Sequence, residues 1–178
     1  MIDIARNFQK PQTMKVILAL MASNRLNRLH FHITDDEAWR LEIPGLPELT
    51  DVGAHRGYTL DERTYLKQFF AGDGNPRTDT GTSNGYFTRE DFIDLIRTAH
   101  NMGIEVVPEI ESPGHARAAI RAMEARRLNC GDDRFRLIED GDTSHYTSAQ
   151  AFHDNIMNPA LESTYRFMEK VIDEIASM

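Results

Sequence analysis

The sequence is short of cysteine, of long apolar runs and of net positive charge, and each shortage removes a class of protein. Its one cysteine, Cys130, cannot form an internal disulfide and argues against a zinc site built from cysteines. No apolar run approaches the roughly 18 residues that a membrane-spanning helix needs, so no span is expected. The net charge of −8 argues against a nucleic acid partner, because phosphate binding requires clustered lysine and arginine.

The rest of the composition is that of an ordinary globular domain. The chain has 178 residues, of which 40% are hydrophobic and 27% are charged. This length is enough for one domain with a sizeable core. Composition therefore indicates no function, and particular motifs must do so.

The most informative stretch is residues 28–40, RLHFHITDDEAWR. Its first half alternates, with Leu29, Phe31 and Ile33 on one face and His30, His32 and Thr34 on the other. Alternation in a run rich in aromatic and β-branched residues predicts a strand. The strand ends in three adjacent acids and the only tryptophan: Asp35, Asp36, Glu37 and Trp39. Because α/β folds place chemistry at the carboxyl ends of parallel strands, we expect a site here.

Two further strands and two helices are predicted around this stretch. A strand over residues 1–8 ends at a polar tip that contains Arg6. The helix after it has Pro11 in its first turn and an apolar stripe formed by Met14, Ile17, Leu18 and Met21. Another helix begins at Thr88 and ends at Gly103, with an apolar stripe formed by Phe92, Ile93, Ile96 and Ala99. A third strand covers residues 104–110, and Glu109, Glu111 and His115 crowd its carboxyl end.

The remaining segments are two helices and two loop-like regions. Residues 116–127 predict a basic helix, and a last helix is expected with Asn158 as N-cap and Pro159 in its first turn. The apolar stripe of the last helix is Leu161, Tyr165, Met168, Ile172 and Ile175. Glycine and proline interrupt residues 41–86, and residues 72–85 have almost nothing to bury, which predicts an insertion over the mouth of the site. Residues 132–158 are also loop-like.

The order β-α-β-α-β-α predicts a parallel sheet with right-handed crossovers. Three such units are fewer than a doubly wound sheet or a (β/α)8 barrel requires. The fold class expected is therefore α/β, and the chain is expected to be part of a larger domain.

Three motifs in order resemble the catalytic barrel of family 20 β-N-acetylhexosaminidases, and the bacterial chitobiases in particular. They are DIARNF, LNRLHFHITDDEAWRLEI and GIEVVPEIESPGHA, and the resemblance covers essentially the whole chain. It implies that residues 1–178 are a single segment of a partial (β/α)8 barrel, with roughly the first three units and a long insertion after the second strand. The segment is expected to be incomplete at its C-terminal side and at its N-terminal edge.

The resemblance also implies an activity. The family removes terminal N-acetylhexosamine from β-linked glycans such as chitooligosaccharides, with retention, without a cofactor or metal, and commonly outside the cytoplasm. The 2-acetamido oxygen of the substrate attacks the anomeric carbon, while an Asp-Glu pair supplies the general acid and orients the acetamide. That pair lies in a motif of the type HxGGDE after the fourth strand, and no such motif occurs in this sequence. The 178-residue chain alone is therefore expected to be inactive.

Individual residues acquire roles through the resemblance. Arg6 matches the arginine that binds two adjacent hydroxyls of the terminal sugar. Asp35 and His115 match two members of an Asp-His-Glu network whose Glu is the general acid, although Asp36 could take the place of Asp35. Asp36, Glu37, Glu109, Glu111, His32 and Trp39 are expected to support the pocket. Arg6, Arg40 and His115 are the bases expected to pair with Glu109 and Glu111, and Glu111 is the acid expected to approach the pocket.

Other interpretations remain open at this point. His30 and His32 on one strand face could bind a metal in a hydrolase of amidohydrolase type. A non-catalytic N-acetylglucosamine-binding protein that retains Arg6 is a second alternative. Trp39 could be a platform for a sugar, although a lone tryptophan more often belongs to a core. Unpaired edges of the first and third strands are expected to favour self-association.

Overall fold

The computed structural model describes residues 1–68, 74–78 and 81–178. Its elements in chain order are β1 (Ile2–Asp3), α1 (Pro11–Ser23), β2 (Arg28–His32), α2 (Glu48–Asp51), β3 (Arg56–Gly57), β4 (Leu66–Lys67), α3 (Arg89–Asn101), β5 (Glu105–Glu109), α4 (Arg117–Cys130) and α5 (Glu162–Ala176). The predicted parallel sheet is confirmed, with strand order β1-β2-β5. Its register aligns His32 with Asp3 on one side and with Glu109 on the other.

The apolar face of β2 forms the centre of the core, as its alternation predicts. Leu29 and Phe31 are fully buried, and the Phe31 ring stacks on Phe92 of α3 with the ring centroids 6.4 Å apart. α1 buries Met14, Leu18 and Met21, while α3 buries Phe92, Leu95 and Ala99. Each buried methionine, leucine or phenylalanine among them contributes roughly 1.5–3 kcal/mol to folding. The prediction of Ile93 in the buried stripe of α3 was wrong, because Leu95 is buried there and Ile93 is only partly buried.

Both predicted ends of α3 are confirmed. The hydroxyl of Thr88 accepts a hydrogen bond from the backbone N–H of Asp91, and the Asp91 carboxylate accepts one from the backbone N–H of Thr88. Gly103 has φ +71°, a conformation that glycine adopts at little cost, and it directs the chain into β5.

Residues 41–86 contain more regular structure than the sequence predicts, because a four-residue helix and the two-stranded β3-β4 sheet form there. Arg40 attaches this insertion to the rest of the fold. Its buried guanidinium donates to five backbone carbonyls, those of Ile4, Ala5, Ala54, Ser83 and Gly85. Burial and the nearby charge of Arg56 lower its pKa, which is the cost of placing a cation among carbonyls alone. Residues 72–73 and 79–80 of the predicted glycine-rich stretch lie outside the described residues.

The last helix differs from the prediction in its start and in its buried face. It begins at Glu162, one turn later than expected, because the side chain of Asn158 forms a tight turn by accepting from the N–H of Ala160. Its buried residues are Thr164, Phe167 and Val171. Tyr165 and Ile172 of the predicted stripe are more than half exposed. None of the helices in the described ranges is both long and apolar enough to cross a membrane.

Candidate active site

The carboxyl ends of β1, β2 and β5 bring three predicted site residues together around one carboxylate. Arg6 follows β1, Asp35 follows β2, and His115 follows β5. The Nη2 atom of Arg6 lies 2.6 Å from Oδ2 of Asp35, and Nδ1 of His115 lies 3.3 Å from Oδ1. The guanidinium and the imidazole thus face opposite oxygens of the same acid.

Asp35 is held as an anion. Burial raises its pKa, but a 2.8 Å hydrogen bond to His32, a 2.7 Å hydrogen bond from the backbone N–H of Asp36 and the charge of Arg6 outweigh burial. The net result is a pKa below its usual range. A buried carboxylate with this many donors is fixed in both charge and orientation.

His32 is a cation placed between two acids. Its Nε2 lies 2.8 Å from Asp35, and its Nδ1 lies 2.7 Å from Oε2 of Glu109. Burial opposes its charge, but the two hydrogen bonds prevail and raise its pKa to about 9. The same Glu109 oxygen lies 2.7 Å from Nε2 of His30, which is half-exposed rather than enclosed. Glu109 therefore pairs with the two strand histidines, and not with Arg6 or Arg40 as expected.

Arg6 contacts three carboxylates and retains unused donors. Its guanidinium binds Asp3 at 2.8 Å and Glu37 at 3.2 Å, in addition to Asp35. A guanidinium has five N–H groups, so these three contacts leave one N–H on Nη1 and one on Nη2, and Nη1 also lies 3.5 Å from Nε2 of His32. The side chain is 29% exposed, which leaves it accessible from one side.

Asp36 is a different kind of acid from its neighbour. It is fully buried and accepts hydrogen bonds from the side-chain amide of Asn155 at 2.9 Å and from the backbone N–H of Arg117 at 3.2 Å. Burial raises its pKa despite these bonds. Its Oδ2 lies 3.5 Å from Nδ1 of His115, so the imidazole is near both acids and slightly nearer to Asp35.

Glu37 and Glu111 complete the acidic surroundings. Glu37 is buried against Arg6, and both burial and the charge of Asp35 raise its pKa. Glu111 is anchored where its backbone N–H donates to the hydroxyl of Thr34 at 2.9 Å, and its carboxylate lies 3.9 Å from His32. Burial and the charge of Asp35 also raise the pKa of Glu111.

Two predicted members of the site lie in the interior instead. Trp39 packs edge-on against Phe167 and donates its indole N–H to the carbonyl of Leu41, so its buried ring cannot serve as a sugar platform. Arg40 binds backbone carbonyls and no acid of the site. The alternation that places His32 correctly does not extend past the strand end, because residues 34 and 39 form an antiparallel bridge that turns the chain back.

Two groups of side chains have the donor set of a metal site. One group is His32, Asp35 and Glu111, and the other is Asp35, Asp36 and His115. Within each group the potential ligand atoms lie within 4.8 Å of one another. Both groups share Asp35, whose charge is already balanced by Arg6 and by protonated His32. Neither group of the described residues includes His30, so the histidine pair of the amidohydrolase alternative is not assembled.

Sequence reasoning missed two parts of the site. Asp3 lies three residues before Arg6 in the DIARNF motif, where i, i+3 spacing could have indicated the ion pair. Asn155 reaches Asp36 from 119 residues away, inside a region that the sequence marks only as a loop. No local pattern identifies such a contact.

Polar side chains gathered at the carboxyl ends of three parallel strands define this chain as an α/β protein with a candidate site at that edge of the sheet. The model of the glycosyl hydrolase family 20 catalytic domain matches residues 1–178. The chain belongs to this family, which is a family of glycosidases.

Relatives named as glycosidases support the same conclusion. The chain is 44% identical to N,N'-diacetylchitobiase of Vibrio harveyi over 187 residues, covering 100% of this chain and 21% of the relative. It is 41% identical to a β-hexosaminidase of Vibrio vulnificus, covering 97% of this chain and 21% of that protein. The crystal structure of the exo-β-N-acetylglucosaminidase of Vibrio harveyi with N-acetylglucosamine superposes with a TM-score of 0.82 at 39% identity, covering 98% of this chain and 24% of the other. The chain thus spans about a fifth to a quarter of the length of these relatives.

Proposed function

We propose that residues 1–178 form the first three β/α units of a (β/α)8 glycosidase barrel that removes terminal N-acetylhexosamine from β-linked glycans. The observation that carries the proposal is the meeting of Arg6 and His115 on the two oxygens of Asp35. Family membership and the N-acetylglucosamine complex of a similar enzyme support the substrate class. The same proposal treats residues 1–178 as a single segment of that catalytic domain.

In this proposal Arg6 binds the substrate. Its two remaining N–H groups suit two adjacent sugar hydroxyls, since a planar guanidinium presents parallel donors. Asp3, Asp35 and Glu37 hold the other three N–H groups, so the fork is oriented before substrate arrives. Little conformational entropy is then lost on binding.

His115 and Asp35 assist proton transfer indirectly, through the general acid. The anionic Asp35 lies 3.3 Å from Nδ1 of His115, and the imidazole then faces the general acid Glu that the family places after the fourth strand. The acetamido oxygen of the sugar attacks the anomeric carbon while this Glu protonates the leaving oxygen. Because the Asp-Glu motif does not occur in residues 1–178, these residues alone would bind part of the sugar and catalyse nothing.

The test uses release of 4-nitrophenol from its N-acetyl-β-D-glucosaminide. We expect no turnover by the 178-residue chain, since loss of a general acid alone costs about 100- to 10,000-fold. In the parent polypeptide, Arg6→Ala should lower kcat/KM by about 100- to 10,000-fold, because two hydrogen bonds to a charged group at roughly 1.5–3 kcal/mol each are lost. Arg25→Ala is the control at an arginine outside the site. Turnover by the short chain at a rate typical of the family would refute the segment proposal, and an unchanged kcat/KM would refute the role of Arg6.

A further inference from the structure

Asp36 joins the two segments that flank His115. The residue is fully buried at the end of β2. One of its oxygens accepts from the backbone N–H of Arg117, two residues after His115, and the other accepts from the amide of Asn155. Asp36 therefore connects β2, the start of α4 and the loop before α5.

Asn155 contacts this assembly a second time through its own backbone. Its carbonyl accepts a 3.0 Å hydrogen bond from the N–H of Ala116, the residue directly after His115. Its N–H donates to the hydroxyl of Tyr146 at 2.7 Å, which fixes the loop from the other side. Asn155 is 2% exposed, so these hydrogen bonds are shielded from water.

His115 depends on such support for two reasons. Its backbone has φ +51°, a left-handed conformation that costs a non-glycine residue energy and persists only where neighbouring contacts impose it. Among the described residues, its buried Nδ1 has no hydrogen-bond partner, although oxygens of Asp35 and Asp36 lie at 3.3 and 3.5 Å. The ring is therefore aimed by the backbone of residues 115–117 and not by a hydrogen bond of its own.

We propose that Asn155 is a positioning residue for His115, and that its hydrogen bond to Asp36 holds the backbone that directs the imidazole toward Asp35. Asp35 and Asp36 then have separate tasks, since Asp35 faces the imidazole while Asp36 fixes the chain on either side of it. The inference rests on the proposed function only in treating His115 as a working group of the site. What it says about Asn155 concerns only the geometry of residues 115–117.

The loop has an independent attachment that should survive loss of the Asn155 amide. Arg117 donates from Nε to Asp154 at 2.8 Å and pairs through its other nitrogens with the buried Glu62. Arg121 also contacts Asp154. We therefore expect Asn155→Ala to leave the overall fold intact and to loosen only the backbone around His115.

The test is amide hydrogen exchange and NMR on the 178-residue chain. Asn155→Ala should speed exchange of the Ala116 and Arg117 amides about 10- to 150-fold, the range that corresponds to loss of a hydrogen bond to a charged group, and should move the His115 ring resonances. The amide of Phe31 in β2 should keep its rate, which separates a local effect from global destabilisation. Asn129→Ala, at an exposed position of α4, is the matched control and should change neither.

A double variant that swaps the residues at positions 36 and 155 completes the test, and we call it the exchanged pair. In Asp36→Asn combined with Asn155→Asp, an amide at position 36 can still accept from the N–H of Arg117 and can donate to a carboxylate at position 155. We expect this pair to restore the slow exchange of residues 116 and 117. Unchanged exchange and unchanged His115 resonances in Asn155→Ala, or no recovery in the exchanged pair, would overturn the proposal. Neither readout involves a sugar or turnover, so failure here is distinct from failure of the proposed glycosidase function.

Discussion

Replacement of His32 by glutamine should remove a stabilisation that depends on pH. In the folded chain, His32 faces Asp35 and Glu109 at hydrogen-bond distance, with Glu111 at 3.9 Å, Arg6 at 3.5 Å and Asp3 near enough to raise its pKa. The acids outweigh the arginine and burial, so the imidazolium is favoured. Glutamine retains hydrogen bonding but cannot carry the charge.

The magnitude follows from the raised pKa of His32. Folding shifts it from 6.5 to about 9, and a folded pKa above the unfolded value stabilises the native state below the unfolded pKa. This contribution is lost as the pH rises through the folded pKa. Linkage gives about 3 kcal/mol at pH 6, about 2 kcal/mol at pH 7.5 and under about 0.5 kcal/mol at pH 9.

The assay is urea unfolding followed by the fluorescence of Trp39, the only tryptophan and a buried one. We expect the difference in free energy of unfolding between the unaltered chain and His32→Gln to shrink from pH 6 to pH 9 by about 2–3 kcal/mol. Other titrating groups occur in both proteins and largely cancel in this difference. His145→Gln, in an exposed loop, is the control and should give a nearly flat difference. An equally flat difference for His32→Gln would refute the assignment of an imidazolium between two acids.

Two further predictions concern the rest of the described fold. Arg40→Met should lower the free energy of unfolding by at least about 3 kcal/mol, because five buried carbonyls lose their donor. Arg40→Lys should not rescue it, since one ammonium has only three N–H groups, whereas Arg134→Met at an exposed arginine should stay within about 0.5 kcal/mol in the same urea assay. The chain should also self-associate, because within the described residues β1 and β5 pair only with β2 and each leaves one edge unpaired. Sedimentation velocity measures this directly, and a monomer at all concentrations would contradict the prediction.

The sequence by itself determined the elements whose signals are local. Alternation in residues 29–33 specified β2 and its buried face, and the pairing of Thr88 with Asp91 specified the start of α3. The motifs around Arg6, Asp35 and His115 were sufficient to predict the family, and the family match confirms it. These signals are readable because each depends on neighbours within a few residues.

Tertiary structure decided which charged and aromatic residues belong to the site. Trp39 and Arg40 follow the acidic strand end directly, yet the chain turns back there and buries both. α5 buries Phe167 and Val171 rather than the predicted stripe, because the surface it packs against is chosen by the rest of the fold. The division between Asp35 and Asp36 depends on Asn155, which is distant in sequence and is brought near only when the loop before α5 folds over the start of α4. Contacts of this kind have no signature in residue order, since burial and pairing are properties of the assembled chain.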